Sequence, residues 1–411
     1  MLELKENTIN NFFCCIGLKD YMLARFALLP VLSPSANYSN SVFEGMSIIK
    51  RDGKLGLFHP SLNFERLRYG IKYLGHRQIS YTDAQMCGAI FSIAALNGWH
   101  EKIELKEENP VTIKAGKKVH RLYIRPLAFI NKNLIGFSKG ADFELLLGAV
   151  PMGAYLPKGS GKGISTMLFP KPRELPFSHV KAASNYQLAI YSEKKLEHYN
   201  SKNREKCAEV IFRNMRHAIT EGGGENVLLI KGDELITAPP SEGALPGITL
   251  RLVSKIAKNL GMKFRYGTFT INDIEKSDAL FFTGNAAGVV PIAKIVEVDS
   301  GFKKKKVHEL REGAENDYMK KIKWEYEKLE SFQEDDCYHT FMDEWLAEKE
   351  MDRLHMEGHK FRDSAKKNYG KGYCTCIPFN PKPKWKAPAK FAKDSKMLIK
   401  NFGIKKYLGG L

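Results

Sequence analysis

The sequence predicts an α/β protein of two domains with a charged extension behind them. Three observations carry this. The chain has 411 residues, enough for two or more domains, and 43% of them are apolar, enough for sizeable cores. From Val42 to about Phe143, stretches of strand character alternate with helical ones. Behind a Gly/Pro-rich connection at 152–162, strand–turn–helix units resume and continue to a helix-like segment at 315–332. These breaks divide the chain into an N-terminal extension (1–35), a small α/β domain (36–151), an interdomain loop (152–162), a larger domain (163–335) and a basic C-terminal extension (336–411).

Residues 1–35 carry no readable motif. In "KLGLFHPSLNFERLRYGIKYLG" a strand leads through a Pro turn into an amphipathic helix with Leu62, Leu67 and Ile71 on its apolar side. "HRLYIRPLAFI" reads as a strand that Pro126 restricts to an edge or a bulge, because proline has no N–H for the ladder. "FELLLGAVPMGAYLPKGSGKGISTMLF" holds two apolar strands around the Gly/Pro-rich junction. Beyond it, "ENVLLIKGDELITAP", "GITLRLVSKIAKNLG" and "DALFFTGNAAGVVPIAKI" repeat the strand–turn–helix theme without a fixed period.

Charge is unevenly distributed. The net charge is +18, yet residues 361–411 alone hold 13 Lys/Arg against 2 Asp/Glu, while residues 325–352 hold 11 acidic and 2 basic side chains. Most of the basicity therefore belongs to a tail. Its Lys, Pro and aromatic mixture, "PFNPKPKWKAPAKFAKDSK", is compatible with contact to nucleic acid or an anionic surface. A solvated tail pairing with the acidic segment is the preferred expectation. No apolar run approaches the roughly 18–20 residues of a membrane span, and no signal-peptide pattern opens the chain, so a cytoplasmic protein with no membrane partner is expected. Seven scattered cysteines do not form a disulfide framework and suit reduced thiols. His355 and His359 stand one helical turn apart ahead of Cys374 and Cys376, but C-x-C is poor zinc spacing, and no metal is expected.

Four short stretches point to chemistry. In "SHVKAASNY", Lys181 lies among small residues with no charged side chain nearby in sequence, which leaves room for an approaching group. A lysine amine acts covalently by forming a Schiff base with a carbonyl, and pyridoxal phosphate (PLP) is the common carbonyl cofactor. In "ITEGGGENVLLI", Glu221 opens a glycine run that lets backbone approach a flat ring, and its carboxylate suits a pyridinium. In "ALPGITLRLVSKIAKNLG", Pro246 and Gly247 precede a helix with Leu250, Val253, Ile256 and Leu260 on one face. The amides of Ile248 and Thr249 then open an anion site, to which the Thr249 hydroxyl adds a donor. In "FFTGNAAGVVP", small residues after a strand make a tight turn suited to a phosphate or carboxylate. Singly, each is more often a surface lysine, a glycine turn, a Pro-started helix or a plain loop.

In this order the set resembles the fold-type IV, or class IV, PLP-dependent aminotransferases, and above all the branched-chain amino-acid aminotransferases. "SVFEGMSI", "HPSLNFERLRYGIKYL", "LYIRPLAF", "VPMGAYL", "KAASNY", "TEGGGENV", "ALPGITLRLV" and "FTGNAAG" carry the likeness from about Tyr38 to about Ile295. The resemblance implies a small α/β domain beside a larger pseudo-barrel domain. It implies that Lys181 holds PLP, Tyr186 bonds its phenolate oxygen, Glu221 pairs with its ring nitrogen, Leu245 packs on the ring, and Arg66, Ile248, Thr249 and Asn285 bind its phosphate. By the same likeness Tyr38, Phe43 and Met152 line the side-chain pocket, Tyr123 and Arg125 lie near the substrate and its carboxylate, and the amides of Asn285 and Ala286 hold a carboxylate. The implied reaction is ping-pong transfer of an amino group from an L-amino acid, branched-chain or otherwise apolar, to 2-oxoglutarate, in a homodimer.

The chain departs from the family at Ser47, where arginine is frequent, at Met152, where Trp is common, at Asn285 for Thr and at Gly288 for Glu. "REGAENDYMKKIK" stands in place of a GPIT-like segment. The cofactor set is intact and the substrate shell has drifted. Three alternatives stay open: a D-amino-acid aminotransferase, an aminodeoxychorismate lyase, and an inactive scaffold that works through the basic tail.

Overall fold

In a computed structural model, residues 13–51, 54–97, 110–112, 118–136, 142–152, 155–157, 163–175, 177–329 and 376–378 are described. They build two sheets. The first contains β1 (Phe13–Ile16), β2 (Asp20–Leu23), β3 (Ser41–Phe43), β4 (Met46–Arg51), β5 (Lys54–Phe58), β6 (Pro110–Thr112), β7 (Lys118–Ile130) and β8 (Phe143–Pro151). Its order is β5-β4-β7-β8-β1-β2, with β3 and β6 also paired to β7. Against it pack α1 (Pro34–Tyr38), α2 (Pro60–Tyr73) and α3 (Asp83–Leu96). Phe64, Leu67 and Ile71 of α2 and Met86, Ile90 and Ile93 of α3 meet Ile48, Leu122, Ile124 and Leu145 of the sheet in one core.

The expected place of Pro126 needs correction. It lies in the middle of β7, which is flanked by β8 on one side and by β3 and β4 on the other. The missing N–H is accommodated by a break in the partner. The pairs Phe43↔Leu127 and Met46↔Ile124 keep one register, but Glu44 and Gly45 between them leave the ladder. There the Glu44 amide still donates to the Pro126 carbonyl at 2.8 Å, and proline cannot return the bond. The interruption releases Glu44 and Gly45 for other work.

The second sheet holds β9 (Ile164–Leu168), β10 (Glu209–Arg213), β11 (Ile219–Gly222), β12 (Asn226–Lys231), β13 (Glu234–Thr237), β14 (Lys263–Tyr266), β15 (Ala279–Gly284), β16 (Gly288–Val298) and β17 (Lys304–Glu309). It runs β11-β10-β9-β16-β15-β12, and β11 then pairs with β12 through Glu221↔Asn226, which closes the ring into a barrel. Alternate residues point inward, so Leu168, Ile211, Leu229, Phe282 and Ile292 fill its interior. Four helices complete this part: α4 (Gln187–Lys202), α5 (Ile248–Asn259), α6 (Ile271–Ile274) and α7 (Asp317–Leu329). Leu250, Val253 and Ile256 of α5 and Met319, Ile322 and Tyr326 of α7 share a core with Leu228, Ile230 and Phe281 on the barrel's outer side.

From the C-terminal extension, β18 (Cys376–Pro378) pairs antiparallel with β5 at the edge of the first sheet. His355, His359, Cys374 and nearly all of the basic tail lie outside the described residues. Among the described residues no helix is long and apolar enough to cross a membrane.

Candidate active site

A cavity of 620 Å³ opens between the two sheets. Its floor is where the barrel closes. Its walls come from β3, β7, the segment ahead of α4, the N-terminus of α5 and the β15–β16 turn.

Lys181 precedes a 3₁₀ turn at Ala183–Tyr186 that leads into α4. That turn brings the tyrosine back over the lysine, so Lys181 Nζ donates to the Tyr186 hydroxyl at 2.7 Å. Phe43 completes the corner: the lysine nitrogen lies 4.8 Å from its ring centre, and its ring is 5.0 Å from that of Tyr186.

Opposite stands Glu221, at the end of β11 where the Gly222–Glu225 hairpin begins. It is only 6% exposed. Oε1 accepts from the Leu245 amide and from Asn226 Nδ2, and Oε2 accepts from Arg173 Nη1 at 3.2 Å. Burial pushes the Glu221 carboxyl above its usual range, and the Arg173 guanidinium beside it pulls back. Arg173 itself is 4% exposed and also donates to the carbonyls of Gly222 and Asn185.

Two backbone turns supply amides. Gly247 caps α5 in extended conformation with no side chain on the helix end, so the amides of Ile248 and Thr249 face the cavity side. A side chain at 247 would force Asn226 to move: a Cβ would sit 1.9 Å from Asn226 Oδ1. The β15–β16 hairpin turns through Asn285, Ala286 and Ala287 and ends at Gly288 with φ +70°, the left-handed residue that closes a three-residue loop. That backbone requirement accounts for a glycine at 288. Thr249 Oγ1 donates to Asn285 Oδ1 at 2.8 Å, and Asn285 Nδ2 donates to the Gly45 carbonyl at 2.5 Å. The interrupted β3–β4 strand is thus one seam between the two sheets.

Arg66, from α2, lines the cavity with all three guanidinium nitrogens engaged. Nε and Nη2 donate to Glu44 at 2.6 and 2.9 Å, and Nη1 donates to the Pro246 carbonyl at 2.8 Å. Tyr123, Arg125, Met152, Leu245, Ile248 and Ala286 also line the cavity, and Arg125 Nη2 donates to the Tyr123 hydroxyl at 3.0 Å. Tyr38 does not. It ends α1 with 47% of its surface exposed, outside the cavity of its own chain.

Several site residues escape sequence reasoning. Arg173, in "KPRELPF", reads as an ordinary solvated charge, and Glu44 has no visible partner until Arg66 arrives. Tyr155, in "VPMGAYL", lines the cavity beside Glu193, Glu209 and Glu225. Burial pushes the Glu225 carboxyl up to about 7, and burial next to Glu225 holds Glu209 well above its ordinary value.

A lysine amine, a buried carboxylate with a cationic neighbour and two clusters of backbone amides thus surround one cavity, and a profile of the amino-transferase class IV family covers residues 41–295. The chain belongs to the class IV aminotransferases. A probable branched-chain-amino-acid aminotransferase of Staphylococcus aureus is 25% identical over 278 residues, covering 64% of this chain and 72% of its own. The branched-chain-amino-acid aminotransferase of Salmonella typhimurium is 26% identical over 283 residues, covering 67% and 82%. Among solved structures, the branched-chain aminotransferase of Thermoproteus uzoniensis, determined with norvaline, superposes with a TM-score of 0.64 at 26% identity over 78% of this chain and 95% of that one. The Escherichia coli branched-chain amino acid aminotransferase shares the fold, with a TM-score of 0.62 at 22% identity over 82% and 99%.

Class IV aminotransferases use PLP. The residues here fit that group: a cavity of 620 Å³ is ample for a phosphorylated ring with a small substrate. Lys181 Nζ suits its aldehyde, Glu221 its ring nitrogen, and the α5 amides with Thr249 its phosphate.

Proposed function

We propose that this aminotransferase moves an amino group between an L-amino acid with a branched or otherwise apolar side chain and 2-oxoglutarate, in two half-reactions that share the cavity. The observation that carries the reading is the Lys181–Tyr186 contact at 2.7 Å facing the buried Glu221–Arg173 pair across one cavity. The apolar preference rests on Phe43, Leu127, Met152 and Ile190 in the lining, and on the branched-chain relatives.

Bound PLP supplies an aldehyde for amine exchange and a sink for the electrons of the substrate Cα. The protein does the rest. Lys181 Nζ would take the proton from the substrate Cα and deliver it to the cofactor's carbonyl carbon, as base and then as acid. Tyr186 holds that nitrogen in position through its hydroxyl. Glu221 presents its carboxyl to the ring nitrogen, and the Arg173 guanidinium favours its charged form against the effect of burial. Tyr123 and Arg125 meet the substrate's carboxylate end, and the apolar walls face its side chain.

A second copy of the chain belongs to this reading. Leu28, Val31 and Ile135 are 84%, 78% and 83% exposed. They stand on two loops that the Leu134 amide ties to the Leu32 carbonyl at 3.1 Å. An apolar patch of this kind suits a homodimer, and Tyr38 beside it suits a reach into the partner's cavity. Four buried free thiols, Cys14, Cys15, Cys87 and Cys207, suit the reducing cytoplasm.

The test is the visible absorption spectrum of the purified protein before and after L-leucine. A yellow band that shifts on adding L-leucine and disappears in Lys181→Ala is the expected result. A protein that gains no band with added PLP refutes the proposal, and a yellow protein blind to L-leucine refutes the substrate. Sedimentation at micromolar concentration is expected to give a dimer that Leu28→Glu with Val31→Glu dissociates.

A further inference from the structure

We propose that Arg121 is a positioning residue that aims the β15–β16 turn at the substrate's carboxylate. This rests on the transaminase reading above. Arg121 lies on β7, only 5% exposed, and is absent from the cavity lining. Its side chain leaves the strand on the same face as Tyr123 and Arg125, two and four residues on, which do line the cavity. Arg121 instead reaches beneath the turn. Nη1 donates to the carbonyl oxygens of both Asn285 and Ala286, each at 3.3 Å.

Those two bonds set two peptide planes. A trans peptide is flat, and its C=O and the following N–H point in opposite directions. With the Asn285 and Ala286 oxygens drawn down onto the guanidinium, the amides of Ala286 and Ala287 must point the other way. Ala286 and Ala287 are both on the cavity wall. The cation also polarises both peptides, which makes their N–H groups stronger donors for an anion and adds a positive charge behind them. The ligand this selects is a carboxylate held by two adjacent amides. The pair of amides is therefore Ala286 with Ala287, one residue further along than the family resemblance implies. Asn285 has a different duty, bonded through its side chain to Thr249 and Gly45.

The experiment uses the PLP-loaded enzyme and a branched aliphatic monocarboxylate that carries neither an amino nor an oxo group, titrated calorimetrically. The matching primary amide serves as the uncharged control. In Arg121→Met the carboxylate is expected to bind at least tenfold more weakly. The amide control, PLP content and kcat should stay within about twofold, and KM should rise for amino donor and oxo acceptor alike. Arg121→Lys, which keeps the charge and one contact, should recover most of the carboxylate affinity. Arg121→Gln replaces the Met variant if that one fails to fold. Unchanged carboxylate affinity in the Met or Gln variant overturns the proposal. So does a loss shared equally by carboxylate, amide and PLP, which marks a purely structural residue. A wild-type protein that takes no PLP or turns over no amino acid fails at the level of the transaminase reading, before any variant is compared.

Discussion

Arg173→Met isolates the charge balance at the buried-carboxylate end of the cavity. Arg173 and Glu221 are 4% and 6% exposed, with Nη1 and Oε2 3.2 Å apart. At an effective dielectric near 20, unit charges at that separation attract by about 5 kcal/mol. Desolvation of both groups offsets much of this, so the intact pair contributes little net stability. Losing one partner is different, because Glu221 is then buried with the Leu245 amide and Asn226 as its hydrogen-bond donors and only the more distant charges of Lys181 and Arg66 to offset its own. Such an orphaned charge costs about 3–5 kcal/mol. At about 2–4 °C per kcal/mol for a domain of 150–250 residues, the cofactor-free protein should lose roughly 6–20 °C in Tm. The pH dependence carries a sign. Without Arg173 the Glu221 carboxyl, already raised by burial, rises further. The folded state then holds a proton that the unfolded state releases near the ordinary carboxylate pKa, so stability falls as pH increases above that value. Thermal unfolding by circular dichroism between pH 5 and 8 reads both effects. Arg173→Met with Glu221→Gln should recover at least half of the lost Tm and flatten the pH dependence. A single variant within about 2 °C of wild type, or a double variant whose losses simply add, refutes the argument.

Two further outcomes can be checked directly. Gly247→Ala puts a Cβ 1.9 Å from Asn226 Oδ1 and must displace a side chain that bonds the Leu245 carbonyl and Glu221, so PLP affinity by fluorescence titration should fall at least tenfold, the equivalent of about 1.4 kcal/mol; affinity within twofold of wild type refutes the close-approach argument. Glu225 and Glu209, both raised by burial and by each other, keep protons in the folded state over a window where the unfolded chain has lost them, so cofactor-free stability should fall as pH rises above about 4.5. Glu225→Gln should reduce that slope in urea titrations, and an unchanged slope assigns it to other groups.

Much of the site was legible because it is local. Lys181 and Tyr186 are five residues apart in one turn, and their contact needs little beyond the backbone conformation of "KAASNY". The open amides at the start of α5 need only an uncapped helix start behind Pro246-Gly247, which the amino-acid order announces. Gly288 is set by the left-handed position that ends its loop. Strands and the amphipathic faces of α2 and α5 follow from periodicity, since the core selects the same side chains whatever the topology.

The long-range partners were decided by tertiary structure alone. Glu44 meets Arg66 across 22 residues, Arg173 meets Glu221 across 48, and Arg121 meets Asn285 across 164. A lone arginine or glutamate looks solvated in sequence, because the cost of burying it is offset only by a partner that folding delivers. Pro126 makes the same point for backbone. Its sequence forbids a full ladder, but only the sheet determines that β7 runs through the middle and that Glu44 and Gly45 absorb the missing bond. The amino-acid order thus specified several of the groups that gather around the cavity, and the packing of two sheets decided which charges stand behind them.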